Sequence, residues 1–131
     1  MAAVGLFTAC SLPALAQTPP AAASGPDLGA ILARVAPNAD RKVLQLAASA
    51  MRCALRRPEL GVVPDRLGVI DYSRPSTQQR LWVFDLRRQR LLFEEWVAHG
   101  RNSGADRTEH FSNRDGSFMS SIGAFTAQET Y

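Results

Sequence analysis

Between residues 39 and 57 polar side chains recur every three or four positions, at Arg41, Gln45, Ser49, Arg52 and Arg56. That spacing is the period of an α-helix, so these residues form one wet face. Val43, Leu44, Leu46, Ala47, Ala50, Met51, Ala54 and Leu55 supply the apolar side, which predicts a helix docked on a core. Asn38 is placed to open this helix and Pro58 to end it. A shorter helix is expected over residues 28–36, with Asp27 as its cap and Pro37 as its stop. Beyond Pro64 the period changes. Residues 67–72, 80–86 and 91–99 are short runs rich in Val, Ile, Leu, Phe, Trp and Tyr. Ser73-Arg74-Pro75-Ser76 and Arg87-Arg88-Gln89-Arg90 separate them as polar turns, the pattern of a meander of strands. Residues 100–117 are a long loop rich in Gly, Asn, Ser and Asp, and loops of that length are usually functional or mobile. Apolar and β-branched character returns over residues 118–130, so the chain is expected to stop in mid-strand at Tyr131. An end inside a strand leaves open edges, which predicts poor stability and aggregation for the 131-residue chain alone.

The N-terminus follows a different rule. Residues 1–16 carry no charge and close on Ala14-Leu15-Ala16 before Gln17. A short apolar run with small residues at −3 and −1 is what a signal peptidase reads, so cleavage after Ala16 is expected. The mature protein is then periplasmic or in the cell envelope. The run is too short to stay as a bilayer anchor, so no stable membrane insertion is expected after cleavage. No Lys or Arg precedes it, which a start codon further upstream would explain. Pro13, Pro19 and Pro20 argue against a buried helix here. Cys10 is a poorer fit to a lipoprotein signal, being close to the start and preceded by Phe7-Thr8-Ala9. Residues 17–27 read as a Pro/Ala-rich linker.

A chain of 131 residues has room for one domain, and 46% hydrophobic with 21% charged residues suits a globular one. The formal charge of +3 is carried almost wholly by arginine, because Lys42 is the only lysine. That balance suits anionic partners in general without choosing among them. The arginines at 52–57 and 87–90 lack interleaved aromatics for base stacking. They read as solvated faces, and no nucleic-acid partner is expected.

Candidate chemistry is sparse. His99 and His110 are the two histidines, with Asp106 and Asp115 nearby, but neither His-x-His nor His-x-x-x-His spacing occurs. No metal site is expected. Ser103, Ser112, Ser117, Ser120 and Ser121 lie in no Gly-x-Ser-x-Gly elbow and read as turn chemistry. Cys53 is the one cysteine left after cleavage, so no intramolecular disulfide can form. With no histidine close in sequence to act as base, it reads as a half-buried helix residue.

Several segments together are more specific. Asp71-Tyr72-Ser73-Arg74-Pro75-Ser76-Thr77 leads into Arg80-Leu81-Trp82-Val83. Val97-Ala98-His99-Gly100 runs on to Ser103-Gly104, and Phe111-Ser112-Asn113, Gly116-Ser117 and Ser120-Ser121-Ile122-Gly123 close into Glu129-Thr130-Tyr131. In this order and spacing, residues 38–131 resemble the start of the murein L,D-transpeptidase catalytic-domain family, a YkuD-like group of exported bacterial proteins. The helix segment Val43-Leu44-Gln45-Leu46-Ala47 is also similar to what precedes the domain there. The resemblance implies a mostly β fold with an N-terminal helical segment (α+β), here an incomplete YkuD-like β-sandwich or barrel over residues 65–131 behind helices at 28–58. It also implies peptidoglycan as partner and no cofactor. Family members attack a stem-peptide amide with a cysteine thiolate, release D-alanine and pass the acyl group to an acceptor amine. Their base and nucleophile sit in a His-Gly and a Ser-x-Gly-Cys segment downstream of Glu-Thr-Tyr, and neither is found in this chain. No catalytic residue is therefore assigned. Cys10 and Cys53 match no catalytic position, and His99 matches an earlier His-Gly than the one with the base. By the resemblance alone, His99, Gly100, Ser103, Ser120 and Ser121 would line the substrate cleft. Two other readings stay open: a non-catalytic envelope protein that binds peptidoglycan, and an unrelated small secreted β protein.

Overall fold

The computed structural model describes residues 27–127. The leader expected at 1–16, the linker expected after it up to residue 26 and the segment Glu129-Thr130-Tyr131 lie outside the described residues. Asp27 caps α1 (Leu28–Val35), its Oδ2 accepting the Ala30 N–H at 3.2 Å. Pro37, two residues past the end of α1, stops it. The second helix, α2, runs from Arg41 to Leu55 and is shorter at both ends than the expected 39–57. Asp40 rather than Asn38 opens it, its Oδ1 accepting from the Lys42 N–H at 2.7 Å and the Val43 N–H at 3.3 Å. The Asn38 carbonyl accepts instead from the Arg74 guanidinium.

The buried face of α2 is Leu44, Ala48 and Met51, spaced i, i+4, i+7. Leu46 was expected inside and is 71% exposed. At 100° per residue it lies about 200° round from Leu44, on the far side of the helix. Cys53, seven residues further on, shares that outer face and is exposed rather than half-buried. Leu55 is exposed as well, as the last residue of the helix. A single 3₁₀ turn, Pro58–Leu60, leads out to Gly61.

Three antiparallel strands follow in the order β1-β2-β3: β1 (Arg66–Ile70), β2 (Leu81–Asp85) and β3 (Arg90–Glu95). The expected meander is present, and the described part is α+β. Trp82 stands opposite Val69 on one side and Glu94 on the other. An irregularity between Val83 and Phe84 then pairs Phe84 with Leu91. Val69, Trp82 and Phe84 meet Leu32, Ala36, Ala39, Leu44 and Ala48 in one core between sheet and helices. Each large apolar side chain buried there contributes about 1.5–3 kcal/mol. The other face of the sheet carries Ile70 and Phe93, and Trp96 follows β3; all three are exposed.

The strand ends depart from the pattern for local reasons. β1 stops before Asp71, whose Oδ1 accepts from the Ser73 N–H at 3.0 Å and the Ser73 Oγ at 2.6 Å, turning the chain. β3 stops at Glu95 rather than 99, because the Val97 carbonyl is taken by the Arg80 side chain. Residues 118–127 form no strand, and one parallel bridge, Phe111 with Ser120, is their sheet-like contact. Phe118 at φ 55° and Gly123 at φ 137° break the extended path expected there.

Candidate functional site

The long segment after β3 has no regular structure, so something other than a ladder must hold it. Arg80, at the entrance to β2, does this. Its side chain is fully buried and no carboxylate pairs with it among the described residues. Nε and Nη2 donate to the Val97 carbonyl at 3.1 and 2.9 Å, and Nη1 donates to the Arg74 carbonyl at 2.8 Å and Thr108 Oγ1 at 3.3 Å. Nη2 also donates to His99 Nδ1 at 2.9 Å, and the guanidinium lies 5.1 Å from the Tyr72 ring centroid. A buried cation is tolerable when its N–H groups are satisfied, and here carbonyls, a hydroxyl and an imidazole share that task. Sequence reasoning missed Arg80 as a site residue. Its signals were its place in the Arg80-Leu81-Trp82-Val83 segment of the resemblance and its position as a charged residue heading an apolar run.

His99 and Gly100 follow directly. The His99 Nε2 lies 3.3 Å from the Gly104 carbonyl, so both ring nitrogens are engaged. The Gly100 N–H donates to Ser120 Oγ at 2.9 Å, and the Ser120 N–H donates to Ser103 Oγ at 2.8 Å. Ser103 is fully buried, and its carbonyl accepts from the Glu109 and His110 N–H groups at 2.7 and 3.0 Å. Ser103 and Ser120 thus tie two stretches of loop together, with Ser120 almost as buried as Ser103. Tyr72 and Phe111 meet edge to face at 5.8 Å and anchor the same loop to the end of β1.

Two open depressions border this clasp. His99, Gly100, Arg101, Gly104 and Ser76 line the first, and Arg101 stacks 4.0 Å from the Phe118 ring beside it. Ser121 lines the second together with residues 112–119, and its hydroxyl donates to the Ser112 carbonyl at 3.4 Å. Of the five expected cleft residues, His99, Gly100 and Ser121 therefore border open space, while Ser103 and Ser120 hold the wall behind it.

The family model of the L,D-transpeptidase catalytic domain (YkuD_2) matches residues 35–131, a span that takes in α2, the whole sheet and the clasp. The chain belongs to the L,D-transpeptidase catalytic-domain family. No curated protein and no solved structure matches it. Within this L,D-transpeptidase-family chain, Cys53 stands on α2, an element that contributes no residue to the clasp. His110 is exposed, and no group of three or more His, Cys, Asp or Glu side chains converges on a metal position among the described residues. No helix among them is long and apolar enough to cross a membrane.

Charge is concentrated at the other end of the sheet. The Asp85 carboxylate is inaccessible to solvent, with Arg88 at 3.1 Å, Arg66 at 3.3 Å and Arg90 at 3.9 Å around it. The Arg88 backbone N–H, donating at 3.0 Å, is the largest influence holding the Asp85 carboxyl below its ordinary value, and the neighbouring guanidinium groups add to it. Asp27 is lowered too, chiefly by the hydrogen bond from Gln45. A carboxylate with a depressed folded pKa stabilises the fold above its unfolded value, and that contribution is lost as pH falls through the folded one. Thermal melts should therefore show constant stability from these two groups above about pH 5 and a decline toward about pH 3. A midpoint unchanged over that range would contradict the assignment.

Proposed function

We propose that this chain builds the substrate-facing part of a murein L,D-transpeptidase-type domain, exported after cleavage at Ala16 and engaged in peptidoglycan remodelling. The observation that supports the reading most is the clasp of Arg80, His99, Gly100, Ser103 and Ser120. It fixes an irregular loop beside an open depression, inside the span that the family model matches. An extended stem peptide needs such a firm wall, since binding energy is lost whenever a loop must be ordered first. His99, Gly100 and Ser121 are the residues proposed to meet it, with Ser103 and Ser120 behind them.

The acyl-transfer step asks for more than this wall. A thiolate must attack the amide carbon, the amine of D-alanine must leave with a proton, and the acyl thioester must pass to an acceptor amine. Cys53 is placed on the wrong element, and His99 has no ring nitrogen left over. The 131 residues are therefore expected to bind wall without turning it over. Purified sacculi incubated with the chain test both halves. Cosedimentation without release of D-alanine is the expected result. Release of D-alanine would overturn the exclusion of Cys53 and His99, and failure to cosediment would overturn the substrate assignment. The position of Cys53 on α2, outside the clasp, also favours a second reading, a non-catalytic protein that only binds peptidoglycan. The nucleotide sequence beyond the Tyr131 codon separates the two. A His-Gly segment followed by Gly-Cys, in any frame, supports the enzyme.

A further inference from the structure

A guanidinium carries N–H donors and no acceptor. His99 Nδ1, 2.9 Å from Arg80 Nη2, is therefore the acceptor of that bond, and the ring hydrogen sits on Nε2. Arg80 cannot turn away. Its other N–H groups are held by the Val97 and Arg74 carbonyls and Thr108, and the whole side chain is buried. The Nε2–H is held far less firmly, by the Gly104 carbonyl at 3.3 Å, near the long limit for such a bond. Both His99 and Gly104 line the first depression, with Arg101 on the same wall.

We infer that Arg80 is a positioning residue that sets His99 as an N–H donor toward this depression, where it binds an acceptor oxygen of the ligand, a peptide carbonyl or a carboxylate. The arriving oxygen replaces the Gly104 carbonyl on Nε2, so a weak internal bond is exchanged for a better one. Arg101, at the edge of the depression, favours a carboxylate among such ligands. The identity of the ligand rests on the proposed function above, whereas the tautomer stands on the Arg80 geometry alone.

With two histidines in the chain, long-range proton–nitrogen spectra can resolve each imidazole, and a His110→Gln variant assigns them. His99 is expected to show an acceptor-type Nδ1 and a protonated Nε2. Signals averaged over both tautomers, or a proton on Nδ1, would overturn the inference in the unmodified chain, whatever the variants do. Arg80→Met should release His99 into a tautomer mixture, while Arg80→Lys, which keeps a donor, should restore the preference. Failure of Arg80→Lys to restore it, with the fold intact, also counts against Arg80. In the sacculus assay His99→Leu should weaken binding about tenfold, and His99→Gln, whose amide keeps a donor, by much less. Equal loss in both variants would remove the donor role. If the tautomer is as expected but wild-type chain and sacculi do not associate, the positioning by Arg80 stands and the peptidoglycan reading falls.

Discussion

Trp82→Ala is expected to leave the chain largely unfolded at room temperature. Trp82 is fully buried at the centre of β2 and touches the core from both helices and from Val69. Truncating a buried aromatic to alanine costs about 3–5 kcal/mol, through lost transfer energy and the cavity left behind. Small domains have roughly 5 kcal/mol to lose, so this one change consumes most of it. Trp82→Phe should behave quite differently. The Trp82 Nε1–H is buried without a hydrogen-bond partner among the described residues, and an orphaned donor is itself a cost of about 1–3 kcal/mol. Phenylalanine removes that donor and keeps most of the volume. It also keeps an aromatic face for the Arg74 guanidinium, which lies 5.0 Å from the ring centroid. We expect Trp82→Phe to cost under about 1.5 kcal/mol. Urea melts followed by circular dichroism compare the two, and equal damage from both would show that the indole N–H has a partner.

The contrast between Trp82 and Arg80 also marks what could be read in the sequence. Trp82 lies in the continuous apolar run Leu81-Trp82-Val83-Phe84, so the strand follows from pattern alone, while which of its faces is buried does not. The helices and the meander were legible for the same reason, since periodicity is a property of neighbours along the chain. Leu46 shows the limit of that method: residue type placed it inside, and helical rotation puts it outside. Arg80 and Asp85 were illegible because charged residues are almost never fully buried, and the groups that permit it come from distant segments. Val97, His99 and Thr108 satisfy Arg80 from the segment beyond β3. Arg66, from a different strand, joins Arg88 on Asp85. No periodicity encodes such meetings. The family resemblance supplied His99 and Gly100 without saying what holds them.

Gly100→Ala is the change expected to separate the clasp from the rest of the fold. Gly100 is needed for space. A Cβ at this position would stand 2.5 Å from the Phe118 carbonyl oxygen, 2.7 Å from the Met119 carbonyl carbon and 2.8 Å from the Ser120 nitrogen. These are backbone atoms, so no side chain can swing aside, and residues 118–120 must move as a unit. Three bonds cross that gap: Gly100 N–H to Ser120 Oγ, Ser120 N–H to Ser103 Oγ, and Asn102 N–H to the Phe118 carbonyl at 3.1 Å. Each depends on the same close approach, so they should fail together. We expect a loss of about 1–3 kcal/mol, the usual range for overpacking, and a larger proportional loss of sacculus binding. Gly116→Ala is the control. Its φ of 70° strains an alanine, yet a Cβ there meets nothing within 4 Å, so the cost should stay near 1 kcal/mol. The helices and sheet lie outside the clasp, so far-ultraviolet circular dichroism of Gly100→Ala should remain near wild type. If that variant loses stability but binds sacculi as before, the clasp is scaffolding for the loop and the wall contact lies elsewhere.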